Sequence, residues 1–214
     1  MDTLQGPSVN VYEFTCDDNL ADRICNDVLQ QQMHWYDLSN FGHQFSAGHL
    51  ENDKKSSYYD EELFKWFQLC INKVSSIHFP FYNLAICDSW LTRSEPGQFA
   101  SRHVHTHSVF TGVFYLTTHD GSKLNLFFPD PISQKFSFLL GKDVVRESKL
   151  SIAPTKGKLI IFPSDTPHVV DRHTSKETRY SLVFNTFFNK TLHVRPNGML
   201  NDTFRLTLDV KFNK

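Results

Sequence analysis

Three histidines and one arginine are the residues of this chain whose types and spacing invite chemistry. In Arg102-His103-Val104-His105-Thr106-His107 the first two histidines are separated by one residue. Alternate side chains of a β-strand project to one face, so His103 and His105 on a strand can reach a single metal ion. A histidine-lined solvent face would carry the same pattern. His168 follows the run Gly157-Lys158-Leu159-Ile160-Ile161-Phe162-Pro163, which reads as a glycine turn leading into an apolar strand and then a short polar turn. Pro167 restricts the backbone just before this histidine. In that place it can face a barrel mouth or stay a hydrogen-bonded surface residue. Arg179 opens the run Arg179–Phe188, whose alternation puts Arg179, Ser181, Val183 and Asn185 on one face and Tyr180, Leu182, Phe184 and Phe188 on the other. If the first face lines an apolar interior, the cost of burying a guanidinium there predicts an anionic partner. If Arg179 lies near the strand's entry, it snorkels or pairs with Glu177 or Asp171.

The elements that must position these groups are two helices followed by about eight short strands. Leu20, Ile24, Val28 and Met33 recur at helical spacing after a capping Asp17 or Asp18. A second helix is expected from about Tyr59 to Ile77, with Leu63, Phe67, Cys70, Ile71 and Val74 on one face and acids in its first turn. Strand character is expected at Val9–Phe14, Phe79–Phe81, Asn83–Leu91, His103–His107, Val109–Thr117, Lys123–Phe128, Lys158–Phe162 and Arg179–Phe188, with a break over Arg93–Gly97. Asp120-Gly121 reads as a hairpin turn. The segment Thr203–Phe212, after the turn Asn197-Gly198, alternates cleanly as a last strand. Gly42–Lys55 reads as a polar loop, and 129–156 as a long mixed stretch suited to a lid over a substrate. Helices first and strands after, without βαβ alternation, indicate a mainly β fold: an antiparallel barrel or double-sheet jelly roll covered by N-terminal helices. We expect one domain over 1–214, with 1–78 as a helical and strand extension and 79–214 as the barrel.

Composition narrows the partners. The chain has 214 residues and a formal net charge of −1, which gives no electrostatic footprint for nucleic acid or an anionic membrane. Cys16, Cys25, Cys70 and Cys87 form no CxxC pair and no compact disulfide framework, as expected of reduced thiols in a reducing compartment. The start of the sequence lacks a signal-peptide pattern and no apolar run reaches membrane-spanning length, so a soluble cytoplasmic protein is expected and the Asn-x-Thr sequons at Asn189 and Asn201 read as accidental. With 20 Phe against 3 Met, the sheet faces should be packed with aromatic rings.

Taken in order, a His-x-His pair, a lone histidine 65 residues after His103 and an Arg-x-Ser pair 11 residues beyond it form a set that chance rarely assembles. That order resembles the 2-oxoglutarate/Fe(II) dioxygenase superfamily, whose barrel is the double-stranded β-helix. More narrowly, HVHTHSVFTGVFYL, LFFPDP, GKLIIFPSDTPHVV and RYSLVFN, spanning about residues 97 to 188, are similar to the 2OG-Fe(II) oxygenase family found in marine bacteria and their phages. The resemblance implies a double-stranded β-helix under two helices, working in a cytoplasm, that of a phage-infected cell included. By position it implies Fe(II) on His103, His105 and His168, with the far carboxylate of 2-oxoglutarate on Arg179 and Ser181. Tyr115 and Asn125 are further candidates to reach the cosubstrate, and His107 is left outside the metal set. The reaction implied uses O2 to hydroxylate a protein side chain such as proline, or a small molecule, with decarboxylation of 2-oxoglutarate to succinate. The sequence departs from the wider superfamily at residue 105, where a carboxylate is usual. Asp120 or Asp165 therefore stays open as a ligand. Two other readings also remain: a cupin-type metal enzyme that does not use 2-oxoglutarate, and a non-catalytic jelly-roll binding or assembly protein.

Overall fold

A computed structural model of the chain describes residues 10–30, 58–119, 121–130 and 146–189, the backbone of short strands at 2–3, 35–38 and 43–46, and residues 133, 135 and 139. Helix α1 spans Asp18–Gln30, and Asp17 caps it by accepting from the Asn19 N–H at 2.9 Å. Helix α2 spans Glu61–His78, with Asp60 as N-cap accepting from Leu63 N at 2.9 Å. On α2 the predicted stripe Leu63, Phe67, Cys70, Ile71 and Val74 is buried. On α1 Ile24 and Val28 are buried as predicted, but Ala21 completes the buried stripe where Leu20 was expected; Leu20 is only partly buried, and Met33 lies outside the described residues. No described helix is long and apolar enough to cross a membrane.

The strands are β1 (Asp2–Thr3), β2 (Tyr12–Thr15), β3 (Trp35–Leu38), β4 (His43–Ser46), β5 (Leu84–Ser94), β6 (Ala100–His103), β7 (Phe110–Tyr115), β8 (Leu124–Pro129), β9 (Glu147–Ile152), β10 (Lys158–Pro163), β11 (His168–Val170) and β12 (Arg179–Phe188). They form an eight-stranded sheet in the order β1-β2-β10-β7-β12-β5-β4-β3 and a four-stranded sheet in the order β6-β11-β8-β9. Every pairing is antiparallel.

The central strands β10, β7 and β12 of the larger sheet are buried on both faces, and their alternation decides what each face meets. Phe14, Phe114, Leu159, Ile161, Leu182 and Phe184 pack with the apolar stripes of α1 and α2. Phe67 of α2 lies edge-on to Phe114, centroids 5.4 Å apart, and 4.9 Å from Phe184. Gly112 gives Phe184 its place, because a Cβ at residue 112 would stand 2.1 Å from Phe184 Cζ. On the opposite face Tyr115, Ile160 and Phe162 pack across the barrel against Leu124, Leu126 and Ile152 of the smaller sheet. The expected aromatic packing is thus met on the helix side.

Several expectations are corrected. Asp120-Gly121 does not close a hairpin: β7 pairs with β10 and β12, and β8 with β9 and β11, so the chain here crosses between sheets. Gly121 is needed for close approach, since a Cβ there would stand 2.3 Å from Thr174 Oγ1. Gly42–Lys55 is not wholly loop: β4 lies within it and pairs with β3 and β5. Phe79–Phe81 is a turn, because Phe79 is the C-cap of α2. The break expected over Arg93–Gly97 begins only after Ser94. The 129–156 stretch contains β9, held by β8, so Glu147–Ile152 is barrel wall and not lid. Most of 131–145, Asp120, and the last strand expected at Thr203–Phe212 with its turn lie outside the described residues.

Candidate functional site

A cavity of about 350 Å³ opens between the two sheets, and among its lining residues are His103, His105, His168, Tyr115, Arg179 and Ser181. The register of the strands assembles it. His168, first residue of β11, pairs with His103, last residue of β6. A turn closed by Thr166 N–H on Pro163 O carries the chain from β10 to that position. His105 lies beyond the end of β6, not on the strand expected at His103–His107, and its N–H donates to Ser164 O at 2.8 Å. It reaches the other two nonetheless: one ring nitrogen of each histidine lies within 4.8 Å of those of its two neighbours.

The hydrogen bonds fix which nitrogen carries the lone pair. Nδ1 of His103 donates to Ser101 O at 2.7 Å, and Nδ1 of His168 to Thr166 O at 2.9 Å. A carbonyl only accepts, so in both rings the proton is on Nδ1 and the lone pair on Nε2. Nδ1 of His105 meets the Asn185 side-chain oxygen at 2.8 Å, with the same consequence. Burial holds all three rings neutral: His168 is pushed down to about 3 and His105 to about 4, and His103 is also lowered. Three neutral imidazoles with converging lone pairs are a divalent-metal donor set. Among the described residues they are the one such cluster of histidine, cysteine or carboxylate groups. Asp165 is exposed and outside it, and so is His107, in a left-handed turn at φ 63°.

The second half of the cavity is cationic. Arg179 faces Ser94 across β12 and β5, and it is 4 % exposed. Its guanidinium donates to Ser94 Oγ at 3.1 Å and Ser122 O at 3.4 Å, while Nε has no partner among the described residues. Asp171 instead accepts from Asn125, and the Arg179–Glu177 and Arg179–Asp171 pairs left open by the sequence do not form. Desolvation lowers the arginine's proton affinity, with the burial uncompensated by any described carboxylate. The Tyr115 hydroxyl is likewise buried without a partner, and burial pushes its pKa up. Ser181 pairs in register with Thr92 and Tyr115, and its hydroxyl lies 2.6 Å from that of Thr92. An under-bonded cation beside an orphaned phenol is a site built for an anion.

Asn125 is not brought to this site. It points to the other face of β8 from Leu124 and Leu126, where its amide donates to Asp171 Oδ1 at 2.7 Å and its oxygen accepts from Ser151 Oγ at 2.6 Å. Sequence reasoning missed Thr92 and Ser94, whose signal is a period-two polar run on β5, and Ser122, whose left-handed backbone (φ 63°) aims its carbonyl at Arg179. The Ser122 side chain is held by the buried His173, whose other ring nitrogen meets Glu177 O.

Residues 88–185 match the family model described as "Putative 2OG-Fe(II) oxygenase". No curated protein matches the sequence. In fold the chain is similar to a prolyl-4-hydroxylase from Pseudomonas putida, at 16 % identity and a TM-score of 0.56, covering 86 % of this chain and 94 % of that one. It is similar to the viral collagen prolyl hydroxylase of Paramecium bursaria Chlorella virus-1, solved with 2-oxoglutarate, at 12 % identity, a TM-score of 0.55 and coverage of 84 % and 96 %. It is also similar to HygX of Streptomyces hygroscopicus, solved with nickel, 2-oxoglutarate and hygromycin B, at 8 % identity, a TM-score of 0.56 and coverage of 88 % and 86 %. The family match falls on the barrel core, and the similar structures share the double-stranded β-helix fold of this chain.

Proposed function

We propose that this chain is a 2-oxoglutarate- and Fe(II)-dependent oxygenase, a hydroxylase in which His103, His105 and His168 hold Fe(II), and Arg179 with Ser181 binds the far carboxylate of 2-oxoglutarate. The observation that carries the reading is the pairing, in one cavity, of three neutral imidazoles with a buried guanidinium that lacks an anionic partner. Three neutral ligands leave the ion's two positive charges in place, and a dianionic cosubstrate offsets them. Arg179 and Ser181 would orient the dicarboxylate by its far end, and Tyr115 would donate its unused hydroxyl to it. When bound, the iron with 2-oxoglutarate and O2 supplies the oxidising chemistry that couples substrate hydroxylation to formation of succinate and carbon dioxide. The protein's own task is to fix both ends of the cosubstrate and to keep water out, with Val113, Leu124 and Val170 as apolar wall.

The substrate in this reading is a protein side chain such as proline, or a small molecule. The similar structures named for prolyl hydroxylation and for a hygromycin B complex support both classes. Trp90, Val104 and Thr106 would meet it. A cytoplasmic setting is supported by four cysteines that form no disulfide. A cupin-type centre would have no use for the inward guanidinium, and a non-catalytic jelly roll for neither half of the cavity. The test is an anaerobic Fe(II) and 2-oxoglutarate titration followed through the metal-to-ligand charge-transfer band, then a succinate assay with peptide and small-molecule panels. Folded, metal-loaded protein that fails to bind 2-oxoglutarate would sink the reading.

A further inference from the structure

His103 and His168 are oriented by backbone carbonyls two residues before them, Ser101 O and Thr166 O. No side chain is needed to set their lone pairs. His105 differs on two counts. It lies past the end of β6, where sheet pairing no longer holds the backbone, and its Nδ1 finds its acceptor on a side chain, Asn185 Oδ1, at 2.8 Å.

That amide oxygen is itself placed by the sheet. Asn185 of β12 is the register partner of Thr111 of β7, and it sits at a bulge between Asn185 and Thr186. The Thr111 hydroxyl donates to Asn185 Oδ1 at 3.0 Å and lies 3.1 Å from His105 Nδ1. Thr111 is buried, and its oxygen is 2.8 Å from Ser164 Oγ. Ser164 closes the circuit, because its carbonyl takes the His105 N–H. Backbone and ring of His105 are therefore tied to one small polar network. Within it Asn185 Oδ1, at 2.8 Å, is the nearer acceptor for Nδ1, and the Thr111 hydroxyl, at 3.1 Å and with its proton on Asn185, is the farther one; both leave the lone pair on Nε2.

We infer that Asn185 is a positioning residue for the metal centre: its amide oxygen fixes the tautomer and orientation that allow His105 to serve as the third ligand. The inference rests on the reading of His105 as a ligand and extends it to a residue that touches neither metal nor cosubstrate in that reading. Without the acceptor the ring can carry its proton on Nε2 or turn away, and a weaker two-histidine site remains. An outer hydrogen-bond partner of this kind is typically worth about 10–100-fold in metal affinity.

The test is titration of the full, metal-free chain with Fe(II), kept anaerobic, and with Mn(II). Asn185→Leu should raise the metal Kd by about 10–100-fold, whereas Asn185→Asp, which keeps an acceptor, should stay within about threefold of the unaltered protein or bind more tightly. Thr111→Val, which removes the hydroxyl that orients Asn185 and the farther contact to His105 Nδ1, should give a smaller loss in the same direction and serves if Asn185→Leu does not fold. In a His105→Ala background, Asn185→Leu should cause no further loss. Unchanged metal affinity in Asn185→Leu, failure of Asn185→Asp to restore it, or an equal loss with His105 already absent would each overturn the inference. An unaltered protein that binds no metal overturns the three-histidine reading beneath it as well, so the two failures are told apart.

Discussion

Replacing Arg179 with methionine should have opposite effects on the protein with and without its cosubstrate. Methionine retains much of the apolar stem and removes the guanidinium. In the absence of ligand, that group has two hydrogen bonds to neutral oxygens, at 3.1 and 3.4 Å, and an Nε without partner, at 4 % exposure. Losing the two bonds costs about 1 kcal/mol each. Relieving a buried, uncompensated cation returns several kcal/mol, on the order of the effective ionic desolvation penalty. The metal-free, ligand-free Arg179→Met protein should therefore be at least as stable as the unaltered one. A gain of about 1 kcal/mol corresponds to about 2–4 °C in Tm for a chain of this size. With 2-oxoglutarate the balance reverses. Truncating one partner of a buried charge pair costs about 2–5 kcal/mol, or roughly 30- to 4,000-fold in Kd. The metal Kd should change by less than about threefold, because none of the three histidines bonds to Arg179. Thermal melts with and without metal and 2-oxoglutarate, paired with the anaerobic titration, read all three quantities. An Arg179→Met protein that melts several degrees lower when empty, yet still gains the full 2-oxoglutarate shift, would refute the reasoning and make the arginine a structural group.

Asn125→Ala should lower stability by about 1–2 kcal/mol through loss of the Asp171 and Ser151 contacts, and leave 2-oxoglutarate affinity unchanged in the same titration; a tenfold affinity loss would return Asn125 to the cosubstrate site. Gly112→Ala should destabilise by about 1–3 kcal/mol in urea melts, since its methyl meets the Phe184 ring, and Phe184→Leu should recover part of that; no loss would mean the ring moves freely. Acid should weaken the metal-free protein. His168 and His105 titrate at about 3 and about 4 in the folded state, and His103 is lowered as well, whereas an unfolded histidine titrates near 6.5. The unfolded chain binds more protons across that interval, so stability is full above about pH 6.5 and falls as pH drops toward 4, by up to roughly 1.4 kcal/mol per pH unit for each histidine. Urea melts between pH 7.5 and 4.5 measure the slope, His168→Leu should reduce it by one histidine's share, and a flat profile contradicts the burial argument.

What the sequence disclosed, and what it hid, follows from the range of the interactions involved. The stripes on α1 and α2 and the two faces of β12 are written in local periodicity, because each element buries one side of itself, and they were legible to within a few residues. β9 was not: its sequence ESKLSI is mostly exposed and carries no apolar alternation, so only its partner β8 defines it. β11 has three residues, too few for any pattern. The Asp120-Gly121 signal misled on the pairing, since a turn dipeptide cannot state which sheet receives the next strand. Within the site, His103, His168, Arg179 and Ser181 were readable from order and spacing. The partners of Arg179 were not, because Ser94 lies opposite it through a pairing that joins residues 85 positions apart. His105 came to the cluster by a bend after β6 and not by strand alternation, and so its dependence on Asn185 had no local signature.

β12 serves two masters along its length. Tyr180, Leu182 and Phe184 belong to the helix-side core, while Arg179, Ser181, Val183 and Asn185 face the cavity. A slip of one residue against β5 and β7 would exchange the two sets, placing the phenylalanine among the histidines and the arginine among the aromatic rings. Neither face can therefore shift without displacing the other, which ties the register of the cavity to that of the core. Val104 and Thr106, exposed and outside any strand, line the same cavity free of that constraint. The polar wall of the cavity is thus welded to the aromatic core, while its mouth is not.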